Sequence, residues 1–411
     1  MNFPGRIGAP ASIVVKSTRQ LAASVAGWNN QSKSWSARPA KQPRPVAGFS
    51  PPRAITATGL EILLDVGIAS TVWDTGLPLT PAGIWAVLRY ALALDVSASG
   101  QMCLSQQAST LRYHHRTAMS EYLGIAVAMQ VVREILATRH PGAQARFVDA
   151  EFALAPGSPF PGFATAPGNS LRPDYFVLVP GGPVYVLECK GSGSTATRRV
   201  SLAKAVRQLE SVRYQGGSPS GFCTHVELSQ NGITCVILDP DGDEGWDSPA
   251  TRDPERLLSS TVQDETDDET VVLDVAGLRA ELEDISRATL LDWSGAVRSA
   301  DHLIPPRVKD LRNRPSREAD APATSITFEG FEFTGIESTY PYAGRLLHVF
   351  RGIDSSLRAS LLEIASLDNP ALGDLAFPGL YNTTPHRTAS GDDDEAVAIS
   401  GDGGIIRLRL Q

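Results

Sequence analysis

Cysteine is scarce in this chain. Only Cys103, Cys189, Cys223 and Cys235 are present, with no CxxC spacing among them. That excludes a disulfide framework and a structural zinc site, and it suits a reducing compartment. Long apolar runs are missing too. The longest, residues 84–94, is interrupted by Arg89 and is too short to span a bilayer. The first residues carry no continuous apolar core, so neither a secretory signal nor a membrane partner is expected. There is no Walker A pattern, which leaves any ATP-driven step to a separate protein, and no Gly-x-Ser-x-Gly elbow. Gly401-Asp402-Gly403-Gly404 is followed by no Lys-Ser/Thr and reads as a hairpin turn. No internal repeat is evident. The Ala/Arg/Asp-rich remainder points to a bacterial cytoplasmic protein.

Charge is unevenly spread. The net charge of -8 does not by itself suggest a nucleic-acid partner. Residues 1–56, however, hold eight Lys or Arg and no acid, which predicts a basic, disordered arm that touches DNA. Residues 57–112 read as a helical region, with helices over 58–68 and 80–95. A core follows over 113–245. Between 239 and 269 there are twelve acids against two arginines, a solvated stretch. With a helix over 275–291 and a basic linker over 302–318, it makes up a connecting region, 246–324. The tail, 325–411, shows strands around 326–333, a helix over 355–366 and a final hairpin, and is expected to serve substrate recognition, a homo-oligomer or a protein partner.

The chemistry-bearing residues lie in the core. Two runs rich in Val, Leu, Tyr and Phe flank Pro180-Gly181-Gly182-Pro183, which reads as a hairpin loop. If the loop is residues 179–183, Leu178 faces Val184 and Asp174 faces Glu188, with Lys190 on the same side. An even loop would instead put Asp174 opposite Cys189. Glu188 ends an apolar run, and a buried acid needs a counter-charge or a metal. Upstream, residues 117–138 have a helical pattern ended by Pro141-Gly142, with Gly124, Ile125, Ala128, Val132 and Ile135 on the apolar face. Glu121 begins that face and is either a site carboxylate or a first-turn acid complementing the helix dipole. His114-His115, at the helix entry, read as capping or solvated residues. Residues 145–154 suit a strand. Residues 202–212 suit a helix burying Leu202, Val206, Leu209 and Val212, and 232–239 a buried strand.

Pro173-Asp174 and Glu188-Cys189-Lys190 resemble the signature of the PD-(D/E)XK nuclease superfamily, the restriction-endonuclease-like fold, and the order of elements over 117–239 is similar to its core. The resemblance implies an α/β fold, a mixed central sheet flanked by helices, here with helical N-terminal and α+β C-terminal additions. It implies a metal-dependent endonuclease hydrolysing phosphodiester bonds, DNA in preference to RNA, in bacterial defence or restriction. Asp174, Glu188, the Cys189 carbonyl and Glu121 would hold Mg²⁺ or Mn²⁺. Lys190 would orient the attacking water or neutralise the phosphate. Gln208 and Lys204 match residues that this helix points at the site in the superfamily, though both also suit solvated positions. Arg198, Arg199, Lys204, Arg207 and Arg213 would hold the nucleic-acid backbone, or some would be ordinary solubilising charges. The rival expectation is a non-catalytic nucleic-acid-binding or assembly module that keeps the fold.

Overall fold

The computed structural model describes residues 3–31, 41–71, 87–154, 172–212, 219–240, 275–304, 322–367, 388–392 and 394–411. In chain order the first nine strands are β1 (Pro10–Lys16), β2 (Arg53–Thr58), β3 (Leu94–Val96), β4 (Met102–Leu104), β5 (Arg146–Asp149), β6 (Tyr175–Leu178), β7 (Val184–Ser192), β8 (Gly221–Ser229) and β9 (Gly232–Leu238). Seven of them build a central sheet in the order β2-β1-β9-β8-β7-β6-β5, while β3 and β4 pair separately. β1 runs parallel to β9 and β7 parallel to β8; the other neighbours are antiparallel. The class is therefore α/β with a mixed sheet.

The basic arm is corrected outright. Ala11, Ile13 and Val15 alternate with polar or half-exposed neighbours and are buried, so residues 10–16 form an interior strand. Lys41 is buried as well, its ammonium donating to the Pro219 carbonyl at 2.6 Å. Within residues 1–56, those described belong to the core.

A helix at Tyr113–Arg139 packs across β7 and β8 on one side and against the helix Gly59–Thr71 on the other. Leu123, Val127, Val131 and Leu136 are buried along with the expected apolar face, because the helix is covered from two directions. The strand expected over 145–154 stops at Asp149, and Ala150–Ala153 is a single helical turn. The Ala150 N–H donates to the Asp174 carbonyl at 3.0 Å, which ends the ladder there. The helix expected over 80–95 also ends early. Ala91–Ala93 is a 3₁₀ turn and Leu94 is extended to pair with Leu104, while residues 80–86 lie outside the described residues.

The helix expected over 275–291 is present, while residues 302–303, read as the start of a linker, close a second helix. The helices Val275–Trp293 and Val297–Leu303 bury Leu282, Ile285, Leu291 and Trp293, and the Trp293 indole donates to the Ile405 carbonyl at 3.1 Å. The acidic stretch from 241 and most of the basic one, 305–321, lie outside the described residues. A second sheet is antiparallel: β10 (Thr324–Phe328), β11 (Phe331–Tyr342), β12 (Arg345–Asp354), β13 (Thr388–Gly391), β14 (Glu395–Ile399) and β15 (Gly404–Leu410) lie in the order β10-β11-β12-β15-β14-β13. The helix Ser355–Ala365, capped by the Asp354 carboxylate, and the β14–β15 hairpin are where the sequence puts them. One hydrophobic cluster runs from Phe3 to Leu410 and draws described residues from each of the regions delimited at 56, 112, 245 and 324.

Candidate functional site

The site is built on the β6–β7 hairpin. Leu178 pairs with Val184 and Tyr175 with Leu187, so the loop has the odd count that faces Asp174 toward Glu188. Gly181 sits at φ +63°, a conformation that glycine adopts without steric penalty, and closes this turn. Arg279, from the helix Val275–Trp293, donates to the Gly182 and Val179 carbonyls at 2.6 and 2.7 Å and fixes the loop from outside. The Asp174 N–H donates to the Leu187 carbonyl at 3.1 Å, and Asp174 Oδ2 accepts from the Cys189 N–H at 2.7 Å. The carboxylate is thereby locked to the strand that carries the other two groups.

Glu188 is fully buried, and the Lys190 ammonium meets its Oε1. Neither Glu188 oxygen has a hydrogen bond of good geometry. Burial, then the facing Asp174, pushes the Glu188 pKa well up despite Lys190. Burial also raises the Asp174 pKa, against the pull of Lys190 and the Cys189 N–H. Burial disfavours the Lys190 charge, but Glu188 and Asp174 more than offset it, and its pKa is raised. Lys190 is an ammonium on a half-buried side chain. Cys189 faces away from these groups and is buried, which pushes its thiol pKa well up and leaves it chemically idle.

The long helix meets this strand through two glycines. A Cβ on Gly191 would lie 1.7 Å from the Ser120 carbonyl oxygen, and one on Gly124 would lie 2.6 Å from Gly191 Cα. Backbone contact at this crossing brings Glu121 near the hairpin, close enough for its charge to act on Asp174. Glu121 is exposed, not part of the buried stripe. Because the helix begins at Tyr113, Glu121 also lies beyond the first turn, where the dipole effect fades.

The helix Arg198–Leu209 flanks the site, and Leu202, Val206 and Leu209 are buried along with Val212 just past its end. Gln208 Nε2 donates to the Arg172 carbonyl at 3.1 Å and so positions the backbone two residues before Asp174. Its side chain is half-buried. Arg199 and Lys204 are exposed and Arg207 is half-buried. Arg198 is ion-paired with Glu227 on β8. Arg213 lies outside the described residues.

Sequence reasoning missed β8 and with it His225. Across the parallel β7–β8 ladder His225 pairs with Lys190 and projects to the same face, fully buried and without a well-formed hydrogen bond at either ring nitrogen. Burial lowers its pKa, so it is neutral at pH 7. The signal available was the period-two pattern Phe222, Thr224, Val226, Leu228, between the helix over 202–212 and the strand over 232–239.

Asp174 and Glu188 offer hard oxygen donors on one face. Among the described residues no three His, Cys, Asp or Glu side chains are gathered as a metal cluster, so Glu121 does not complete a protein-only shell. No helix among the described residues is long and apolar enough to cross a membrane. No protein-family model, curated protein or solved structure matches this chain.

Proposed function

We propose that the chain is a Mg²⁺- or Mn²⁺-dependent nuclease of restriction-endonuclease-like build that hydrolyses phosphodiester bonds, in DNA in preference to RNA. The observation that carries this reading is the fully buried Glu188 facing a half-buried Asp174, with Lys190 on the same face. Two acids with raised pKa values, one of them lacking well-formed hydrogen bonds, are costly in a core and become stable once a divalent cation shares them. A magnesium-like ion fits a site of one or two carboxylates completed by waters and substrate phosphate oxygens, so a third protein acid is not required. Glu121, from the neighbouring helix, would act through a coordinated water.

Bound there, the metal supplies Lewis acidity and a water of lowered pKa. The chain's own residues do the rest. Asp174 is kept in place by the Cys189 N–H, and Gln208 steadies the turn that leads into it. Lys190 keeps its proton, so it serves as a cation that orients the attacking water and offsets phosphate charge, not as a base. Arg199 and Lys204 are exposed on the flanking helix, where they can hold the backbone of the strand. Such an enzyme suits bacterial defence or restriction, by analogy of fold. Incubation with circular DNA, linear DNA and RNA in Mg²⁺, Mn²⁺ or chelator tests it. Metal-dependent cuts lost in Glu188→Ala support the nuclease. Binding without cleavage under every condition favours the non-catalytic module.

A further inference from the structure

A second cationic surface lies at the start of the long helix, outside the carboxylate site. Residues 96–120 contain no acid at all, in a chain with a net charge of -8. Arg112, Tyr113, His114 and Arg116 are exposed there, joined by Arg89 from the preceding segment. No described carboxylate is ion-paired with Arg89, Arg112 or Arg116. The charges crowd one another. His114 and His115 rings lie 4.0 Å apart, Arg89 Nη2 is 3.0 Å from His115 Nδ1, and His114 first, with Arg89 and Arg112, holds the His115 pKa below its usual value. Tyr113 stands out from this patch at 78% exposure, the highest among the exposed large apolar side chains. Folding gains little from a bare tyrosine amid arginines that meet no carboxylate.

The patch lies at the start of the helix that crosses β7. Arg89 lies 5.6 Å from the Tyr90 ring centroid, and Tyr90 is 5.6 Å from the Tyr122 ring, next to Glu121. Along the helix Tyr113, Arg116 and Ser120 fall on one line, and Ser120 is the residue pressed against Gly191. From Tyr113 to Glu121 the helix rises about 12 Å. An exposed ring flanked by cations is the equipment that holds an unpaired nucleic-acid strand, by base stacking and phosphate contact.

We propose that this surface binds single-stranded nucleic acid, with Tyr113 stacking on an unpaired base and Arg89, Arg112 and Arg116 holding its phosphates. It deepens the nuclease reading by giving the substrate a single-stranded segment, and its link to the carboxylates rests on that reading. The test is fluorescence anisotropy of the full chain in chelator with a short single-stranded oligonucleotide, its duplex, and heparin. Tyr113→Ala is expected to weaken single-strand binding about tenfold and to leave the duplex and heparin unchanged, with Tyr113→Phe restoring the affinity. Replacing both Arg112 and Arg116 with Gln is expected to lower the slope of log affinity against log salt by about 1.4, at about 0.7 for each lost phosphate contact. Single-strand affinity unchanged in Tyr113→Ala, or heparin lost in parallel with it, overturns the stacking site. An unchanged salt slope overturns the phosphate contacts. A wild type that binds in this pattern yet never cuts with metal leaves the surface standing and sinks the nuclease instead.

Discussion

Two charge clusters in this protein have the same formula, two carboxylates and one cation, and opposite construction. In the first, Asp174, Glu188 and Lys190 share one face of a hairpin. In the second, Arg133 of the long helix reaches Asp65 at 3.1 Å and Asp402 at 3.7 Å, and Gln130 donates to Asp65 at 2.5 Å. Burial works against the Arg133 charge, but Asp65 and Asp402 outweigh it and raise its pKa. That cluster ties the Gly59–Thr71 helix and the long helix to the β14–β15 turn. Its cation is 9% exposed at the side chain, whereas Lys190 is 32% exposed and can leave its partner for solvent. Glu188 accepts no well-formed hydrogen bond, while Asp65 accepts one from Gln130. The comparison separates charge arranged to hold two layers together from charge arranged to be exchanged for something else.

Breaking each cluster should have opposite results. Glu188→Gln and Asp174→Ala are expected to reduce cleavage to background while the metal-free protein melts no lower, since a buried acid has been removed. Gel assays and thermal melts on one preparation check both. Arg133→Met leaves Asp65 and Asp402 without their cation and is expected to cost about 3–5 kcal/mol of stability. Urea titration measures this, and a loss under about 1 kcal/mol would show that the cluster does not fasten the layers. Lys190→Ala should slow the chemical step by about a hundredfold without weakening Mn²⁺ binding, because the ammonium competes with the metal for Glu188. Single-turnover kinetics beside metal titration separates these.

Acid should distinguish the clusters too. The folded-state pKa values of Asp174 and Glu188 lie above their unfolded values, so the folded metal-free protein binds those protons more tightly. Their contribution to stability is fully present below the unfolded values and is lost as pH rises through the folded ones. The melting temperature of Glu188→Gln should therefore exceed that of wild type at pH 8 and converge with it as pH falls. Divalent metal competes with the same protons, so its stabilising effect should grow with pH. A metal-induced increment that is flat in pH would contradict this. The smallest expected change is Glu121→Gln, where the side chain is exposed: reduced activity with a melting temperature that barely moves. Full activity would remove Glu121 from the site.

The hairpin was legible because the Pro/Gly loop between two apolar runs marks it, but its register was not: the odd count that brings two acids together was one of two the sequence allowed, and the pairing of Leu178 with Val184 selects it. The final hairpin and the 355–366 helix were legible for similarly local reasons. β1 was not. A charge tally over 56 residues hid the short alternation of Ala11, Ile13 and Val15, whose partners, β9 and β2, are distant in sequence or separated by polar chain. The helix Val275–Trp293 was read as an isolated element between linkers because its neighbours in sequence are polar, yet its neighbours in space are β5, β12 and the Gly59–Thr71 helix. The same gap between chain order and packing hid the Asp65–Arg133–Asp402 cluster, whose members lie on three elements. Deleting residues 1–56 would strip two strands from the central sheet, and the truncated chain is expected not to fold.

Calorimetric titration of Mn²⁺ into wild type, Glu188→Gln and Arg133→Lys at pH 8 bears most directly on the site. Saturable binding in wild type and Arg133→Lys, absent in Glu188→Gln, is the result that the Asp174–Glu188 pair predicts. Equal binding heats in all three proteins, or none in any, would contradict it.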